Sequence, residues 1–553
     1  MENFNPVFEI KDFDVAGRLG VFKLGNKTLE TPALFPVVSP FENAVAPRKL
    51  FDHFKFQSLF TNAYIIYKKR HNHPEFLEKG LHNVLDFPGI IATDSGGFQD
   101  YMYGGDLKIT PEEIEPFQEQ IGSDCPVILD IPIQISDSPE VALNKLDVTM
   151  NRARANIQRR TRKNCAWFGP IHGSIFTPLL ERSTKEMSQL DFGLYAIGGV
   201  VKTFIDYRFD LDIKILLQVK QWINPHRPLH MFGLGLPSFF ALAVACGADT
   251  FDSAAYYLYA KDNRYFTLQG TKSLEELTEF PCHCPICSQY TPKELLQESP
   301  QVRVSRLAEH NLYLSMGEIR TIRQAIREGN LWDLVESRVP AHPKLIKALR
   351  VTRDFQPFLE SLIVSEKTHG FKYTSENSFY RPEMTRFFAK IRQIPLDPTI
   401  KGLILLPELD IPSLTSPMMR TWAESLQSAK IPAGIEIYLI SNLFGLFPLS
   451  LNEIYPLSHH EGNPDHALYS PITQKLIETG ISHLKTTSVS AFSIYALTPT
   501  TFINEYNEPE AFSLPNHILS HFITQIRQQC PHIQLTSYST LEDLISGVKI
   551  HHG

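Results

Sequence analysis

A repeat of short apolar runs constrains this chain most: each run ends in a polar residue or glycine and is followed by a helix-like spacer. The runs are 33–38, 58–62, 89–94, 126–130, 166–172, 194–199, 229–233 and 250–252, eight in all. Continuous apolar runs of this length suit strands buried on both faces of a parallel sheet. Amphipathic spacers such as 139–154 and 207–222 supply the crossover helices that parallel pairing requires. Eight such units predict a closed (β/α)8 barrel, with a doubly wound open sheet as the alternative built from the same parts.

The ends of the runs carry the functional content. Asn62, Asp94, Asp130, His172, Gly198-Gly199, Gly233 and Asp252 all fall at or just after a strand's carboxyl end. In a barrel those ends converge on one rim, which is where such folds place their chemistry. One aspartate after a strand is commonly a helix N-cap. Three aspartates and a histidine on one rim point instead to an active site.

On either side of the runs the pattern changes. Residues 8–10 and 18–24, with Gly25-Asn26 as the turn, read as an N-terminal hairpin lying over the barrel bottom. After the last run come Cys282, Cys284 and Cys287, with His310 following after 22 intervening residues. Three thiolates and an imidazole are a tetrahedral zinc set, and with all four ligands from protein the site is structural. His283, inside the cluster, is the rival fourth ligand. The other cysteines, Cys125, Cys165, Cys246 and Cys530, are scattered and read as small buried hydrophobes.

A chain of 553 residues exceeds one ordinary core. The pattern divides it into a catalytic barrel with its hairpin (1–272), a zinc-binding subdomain (273–345) and a separate three-layer α/β unit (374–553). A long helix from about Arg303 to Val339, interrupted at Pro340, belongs to the second. In the third, strands are expected at 401–406, 435–440, 489–495 and 533–538, and helices at 418–430, 471–484 and 516–529. No glycine-rich phosphate loop joins a strand to a helix there.

The net charge of −7 argues against a protein that coats nucleic acid indiscriminately but leaves room for local basic patches. Lys68-Lys69-Arg70 and the run Arg159-Arg160-Thr161-Arg162-Lys163 are two, each equally readable as a solvated helix face. No apolar run approaches the roughly 20 residues a bilayer requires. The N-terminus lacks the basic start and apolar stretch of an export signal, so a cytoplasmic location is expected.

Several motifs then stand in one order: Asp94-Ser95-Gly96-Gly97-Phe98-Gln99, Asp130-Ile131-Pro132, Ile197-Gly198-Gly199-Val200-Val201, Phe232-Gly233-Leu234-Gly235, Phe251-Asp252-Ser253-Ala254 and the cysteine cluster. In that order and spacing the chain resembles the tRNA-guanine transglycosylases. Val127 to Pro132 and Pro281 to Pro285 are similar to the archaeal, archaeosine-type members. The resemblance runs from residue 7 to about 350 and implies a pentosyltransferase acting on tRNA, exchanging guanine in the D-loop for 7-cyano-7-deazaguanine. By position it implies Asp252 as the nucleophile on C1′ and Asp94 as general acid, then base. Ser95, Phe98, Asp130, His172, Gly198 and Gly199 would bind the base, and Cys282, Cys284, Cys287 and His310 would hold one structural zinc. A homodimer is implied as well.

Three departures qualify it. His172 stands where the family has Gln, which puts the choice of base in question and leaves open a transglycosylase with another base or nucleic-acid substrate. Phe379 to Met384 and Phe444 to Pro448 resemble the archaeosine synthase core, yet Leu403 to Pro407 continue as Glu408-Leu409-Asp410-Ile411-Pro412, without that enzyme's Cys and Lys. No nitrile-modifying activity is therefore expected of this unit. The chain also leaves little room for a terminal RNA-binding domain, so a separate RNA-binding subunit or the dimer partner is expected to supply it. A catalytically silent, tRNA-docking subunit is the reading from another class.

Overall fold

Burial on both faces is what turns the apolar runs into strands. In the computed structural model, which describes residues 6–97, 109–162, 164–364, 367, 369–394, 396–409, 416–462, 471–485, 492–503, 508–513 and 517–552, a strand overlaps each of the eight runs, the one at 126–130 only at Pro126. Three antiparallel strands precede them: β1 (Val7–Asp14), β2 (Gly17–Leu24) and β3 (Lys27–Thr31). The eight are β4 (Ala33–Pro36), β5 (Ser58–Asn62), β6 (Ile90–Asp94), β7 (Cys125–Pro126), β8 (Phe168–Ile171), β9 (Leu194–Ile197), β10 (Leu229–Met231) and β11 (Thr250–Ser253). All four residues of β4, β8 and β9 are buried, as a strand covered on both sides requires.

Every pairing among the eight is parallel. One sheet has the order β4-β11-β10-β9-β8 and a second the order β5-β6-β7. Isolated parallel bridges link the two, Val37 to Phe60 and Val127 to Phe168. The order contains no mid-sheet reversal, which a doubly wound sheet would have. Because all strands run one way, their carboxyl ends share one edge.

The opening segment differs from the expected hairpin: it is a three-stranded meander. The Gly25 turn, at φ 59°, joins β2 to β3, whereas β1 turns into β2 through Val15 and Ala16. The meander covers the amino-terminal ends of the parallel strands. Arg18 Nε donates to Asp249 Oδ1 at 2.9 Å, and Leu229 N donates to Asp249 Oδ2 at 2.8 Å. Burial alone would raise the Asp249 carboxyl, but Arg18 and Lys220 outweigh it and hold it below the usual range.

Two other expectations are corrected. β7 is shorter than the expected strand at 126–130: Pro126 cannot donate to a ladder, and beyond it only Val127 makes a bridge. The long helix is Pro300–Glu328, started by Ser299, whose hydroxyl accepts from Val302 N. It stops well before Pro340, because Gly329 takes the left-handed conformation (φ 69°) as its C-cap, and a separate helix follows at Leu331–Arg338.

Residues Met1–Phe358 pack as one unit and Leu359–Gly553 as another. The second unit is built on a five-stranded sheet whose order is Gly445–Pro448, Ile435–Ser441, Gly402–Pro407, Phe492–Leu497 and Ile533–Tyr538. Four strands are parallel, and the edge strand Gly445–Pro448 is antiparallel. Helices Pro417–Ser428, Pro471–Leu484 and Ile518–Gln529 lie close to their expected spans, and Leu541–His552 is an additional one. Glu408 follows its strand as a buried residue; Asp410, Ile411 and Pro412 lie outside the described residues.

Candidate active site and metal centre

Asp94 closes β6 directly opposite Asn62, the last residue of β5. Asn62 Oδ1 accepts from Ile65 N at 2.8 Å, capping the helix Ala63–Lys69. That bond turns the amide so that Nδ2 donates to Asp94 Oδ2, also at 2.8 Å. Gly96 N donates to the other carboxylate oxygen at 3.3 Å. The strand end thus presents Asp94 with its carboxylate held by an amide and a backbone N–H.

Behind it, the turn Ser95-Gly96-Gly97 packs on the segment that follows β7. Buried Ser95 donates through Oγ to Ile128 O at 2.9 Å. A Cβ on Gly97 would stand 2.7 Å from Asp130 Oδ1, so this position has room only for glycine and the turn of Asp94 rests directly on Asp130. Phe98, the expected stacking partner for a base, lies outside the described residues.

Asp130 and His172 form a buried pair, with His172 Nε2 and Asp130 Oδ2 2.6 Å apart. A carboxylate only accepts, so Nε2 carries the proton. A Cβ on Gly198 would come within 2.3 Å of His172 Cε1. The glycine at the end of β9 is therefore what admits the imidazole. Gly199 adopts a φ of +78° beside the Ile133 carbonyl. The structure brings Ser95, Asp130, His172, Gly198 and Gly199 into one contiguous patch next to Asp94.

Asp252 sits within β11 at the same edge, paired with Phe35 of β4. Its Oδ1 accepts from Gly233 N at 3.0 Å and is 3.0 Å from His230 Nε2, and the side chain keeps 14% exposure. His230 was not among the residues expected to matter. Its one signal in the sequence is a polar residue in the middle of the otherwise apolar run Leu229-His230-Met231-Phe232.

The cysteines and His310 gather at a separate place. One ligand atom from each of Cys282, Cys284, Cys287 and His310 lies within 4.8 Å of the other three. The Cys284 and Cys287 sulfurs are 3.5 Å apart, and His310 Nδ1 lies 3.5 and 3.4 Å from them. A tetrahedral ion with bonds of about 2.0–2.3 Å has ligand-to-ligand edges of roughly 3.4–3.8 Å, so the set fits a metal. The imidazole is prepared for that role: Nε2 donates to Phe266 O at 2.9 Å, turning the Nδ1 lone pair to the sulfurs, and Tyr265 stacks on the ring at 3.7 Å. His283 is exposed and outside the cluster. His310 rides on the helix Pro300–Glu328, and its neighbour Asn311 ties that helix to the hairpin Arg264–Ser273 through Phe266 N at 2.9 Å.

Among the described residues no helix is long and apolar enough to cross a membrane.

Known proteins resemble this chain over most of its length. The family model described as queuine tRNA-ribosyltransferase matches residues 14–344. The tRNA-guanine(15) transglycosylase of Methanocaldococcus jannaschii is 38% identical over 484 residues, covering 86% of this chain and 72% of that protein. The protein of the same name from Methanococcus aeolicus is 41% identical over 478 residues, 84% of this chain and 70% of its own length. That of Pyrococcus abyssi is 44% identical over 371 residues, covering 67% and 63%. The matched span contains the Asp94 turn, the Asp130–His172 pair, Asp252 and the cysteine cluster, and this chain belongs to the queuine tRNA-ribosyltransferase family.

Proposed function

We propose that this chain is a tRNA-guanine transglycosylase that replaces guanine at nucleotide 15 of tRNA, the position its relatives' names give, with 7-cyano-7-deazaguanine. The observation that carries it is the pair of differently held carboxylates at one sheet edge, Asp94 and Asp252, in a chain of this family. The eight parallel strands are read as a closed (β/α)8 barrel. In support, β4 adjoins β11 and, through Val37, β5, while Val127 beyond β7 adjoins β8, so each strand has two neighbours.

The chemistry follows from what breaking an N-glycosidic bond requires. Positive charge develops on the sugar, and negative charge on the departing purine. The target nucleotide leaves its stack and enters the patch formed by Ser95, Asp130, His172, Gly198 and Gly199. Asp252 attacks C1′ through Oδ2, the oxygen not held by His230 and Gly233. The C1′–N9 bond breaks, and its electron pair leaves with guanine, which takes a proton from the Asp94 carboxyl. In the return half, Asp94 as carboxylate accepts the N9 proton of the incoming base. That base then bonds to C1′, and the Asp252 carboxylate leaves. Asp130 accepts from the N1–H and amine edge of the purine, and the backbone at Gly198-Gly199 approaches it without a Cβ in the way. With His172 already on Oδ2, Asp130 meets the base with its carboxylate fixed in one orientation.

Cys282, Cys284, Cys287 and His310 would hold zinc, whose part is structural because four protein ligands leave no position for water or substrate. The metal would pin the helix Pro300–Glu328 to the loop that leaves the parallel sheet.

The test is exchange of labelled guanine. A tRNA transcript carrying the label at nucleotide 15 is incubated with the full chain and 7-cyano-7-deazaguanine. Label is expected to leave from that nucleotide, and none is expected with Asp252→Ala. Release that survives Asp252→Ala, or no release by the unaltered chain, would overturn the assignment.

A further inference from the structure

Beneath Asp252 lies an imidazole placed to govern it. His230 belongs to β10 and pairs with Thr250 of β11, so its side chain enters the sheet interior two residues before the carboxylate it meets. Its side chain has no exposure. Four phenylalanines surround it: Phe35 at 5.7 Å, Phe60 at 6.1 Å, Phe168 at 5.1 Å and Phe232 at 5.0 Å between ring centres. Within that aromatic shell both ring nitrogens are used. Nδ1 is 2.9 Å from Thr250 Oγ1, and Nε2 is 3.0 Å from Asp252 Oδ1.

A buried histidine inside an apolar shell costs stability unless its polar atoms are satisfied, and phenylalanine would fill the same space without that cost. The pair of hydrogen bonds is the return on it. Since the carboxylate only accepts, Nε2 bears hydrogen, and the Thr250 hydroxyl donates to the remaining lone pair and fixes the tautomer. Gly233 N is the second donor to the same oxygen, 3.0 Å away. Two donors on Oδ1 stop the carboxylate from turning about Cβ–Cγ, and neither of them occupies Oδ2.

We infer that His230 is a positioning residue for the nucleophile: it holds Asp252 with Oδ2 aimed at C1′ and keeps its hydrogen bond to Oδ1 when that oxygen becomes the carbonyl of the ribosyl ester. The inference rests on Asp252 being the nucleophile. It assigns the aromatic shell a purpose beyond packing, because four rings close around the imidazole whose two nitrogens meet Thr250 and Asp252. In the covalent step Oδ2 gains the bond to C1′ and the C1′–N9 pair departs with guanine; His230 neither gains nor loses a proton.

The experiment uses the full chain and an unmodified tRNA transcript, in single turnover, reading formation of the denaturation-resistant protein–tRNA adduct. His230→Phe should slow adduct formation by about 10–100-fold, the cost of a misplaced reacting group, with KM for tRNA changed less than about twofold. His230→Gln, whose amide nitrogen reaches the Nε2 position, should restore most of the rate. Thr250→Val, which removes the hydroxyl at nearly constant volume, should show a smaller loss in the same direction and gives an answer if His230→Phe does not fold. Wild-type adduct rates in both His230→Phe and Thr250→Val would overturn the inference, as would a His230→Gln variant as slow as His230→Phe, since packing alone would then explain the loss. Asp252→Asn distinguishes the two levels: exchange that persists in it removes the nucleophile assignment itself, whereas loss of exchange there with no effect at His230 removes only the positioning role.

Discussion

Asn62 and His517 show how one buried or half-buried side chain fixes a backbone and a neighbour together. Asn62 caps a helix with its oxygen and holds Asp94 with its nitrogen. His517, in the second unit, caps the helix Ile518–Gln529 through Nδ1, which accepts from Leu519 N at 3.1 Å, and bonds the Glu408 carbonyl through Nε2. Burial pushes the His517 imidazole down from 6.5 to about 4, the Glu408 carbonyl opposing it only in part. The native state therefore refuses a proton that the unfolded chain binds below pH 6.5, and stability is complete above that value and lost as pH falls towards 4. Between pH 7 and pH 5 the loss from this residue is about 2 kcal/mol. Denaturant titration of wild type and His517→Asn, which keeps a capping oxygen, should show that much less acid sensitivity in the variant; identical pH dependence in both would contradict it. At this scale the placement of Asp94, Asp130, His172 and Asp252 was legible in the sequence, because each closes one of several parallel apolar runs, although any one of them alone reads equally well as a helix cap. His230 was not, because a lone histidine inside an apolar strand gives no sign of which partners it will meet across the sheet.

Basic elements divide in a way their composition conceals. In the run from Arg159 to Arg162 the charges turn inward: Arg159 pairs with Glu112 and Glu115, Arg160 donates to Asn156 Oδ1 at 2.7 Å, and Arg162 donates to Ser123 O at 3.0 Å. Lys163 lies outside the described residues. Lys68 and Lys69 are exposed at the end of the helix that Asn62 starts, and among the described residues they have no carboxylate partner. Aromatic rings carry them instead: Lys68 lies over Tyr64 at 5.3 Å and Lys69 over Phe41 at 4.4 Å. Phe41 follows β4, on the edge that holds Asp94, and under the proposed function this cation pair would meet phosphates flanking the target nucleotide. Replacing Lys68 and Lys69 by Ala should weaken tRNA binding and reduce the slope of log affinity against log salt by about 1–2. An unchanged slope would assign the run to solvent. Periodicity revealed the helices Pro139–Arg159 and Phe209–Trp222, expected at 139–154 and 207–222, since an apolar stripe is local, though the first runs on to Arg159. It missed the end of Pro300–Glu328, where Gly329 rather than Pro340 breaks the helix, because an unbroken apolar stripe continues past the glycine into Leu331–Arg338.

At the scale of the whole molecule, the eight apolar runs foretold parallel strands, since each run carries its own evidence of double-sided burial. Strand length was less legible, as β7 shows: pairing partners come from far along the chain, and a proline within the run ends the ladder early. The metal cluster was readable from spacing except for its histidine, which the fold brings in on a helix and fixes by a bond to Phe266 O. The second unit's sheet was readable in its four parallel strands, while the antiparallel edge at Gly445–Pro448 depends on a glycine turn at φ 75° that periodicity does not report. In the proposed mechanism everything turns on Asp252 forming the covalent bond to the nucleotide. The most direct measurement quenches the full chain with tRNA in denaturant, digests the surviving adduct and locates the ribosyl group by mass spectrometry. Modification is expected on the peptide bearing Asp252 and is expected to vanish in Asp252→Asn; a ribosyl group on Asp94 or Asp130, or guanine exchange without any adduct, would overturn the mechanism.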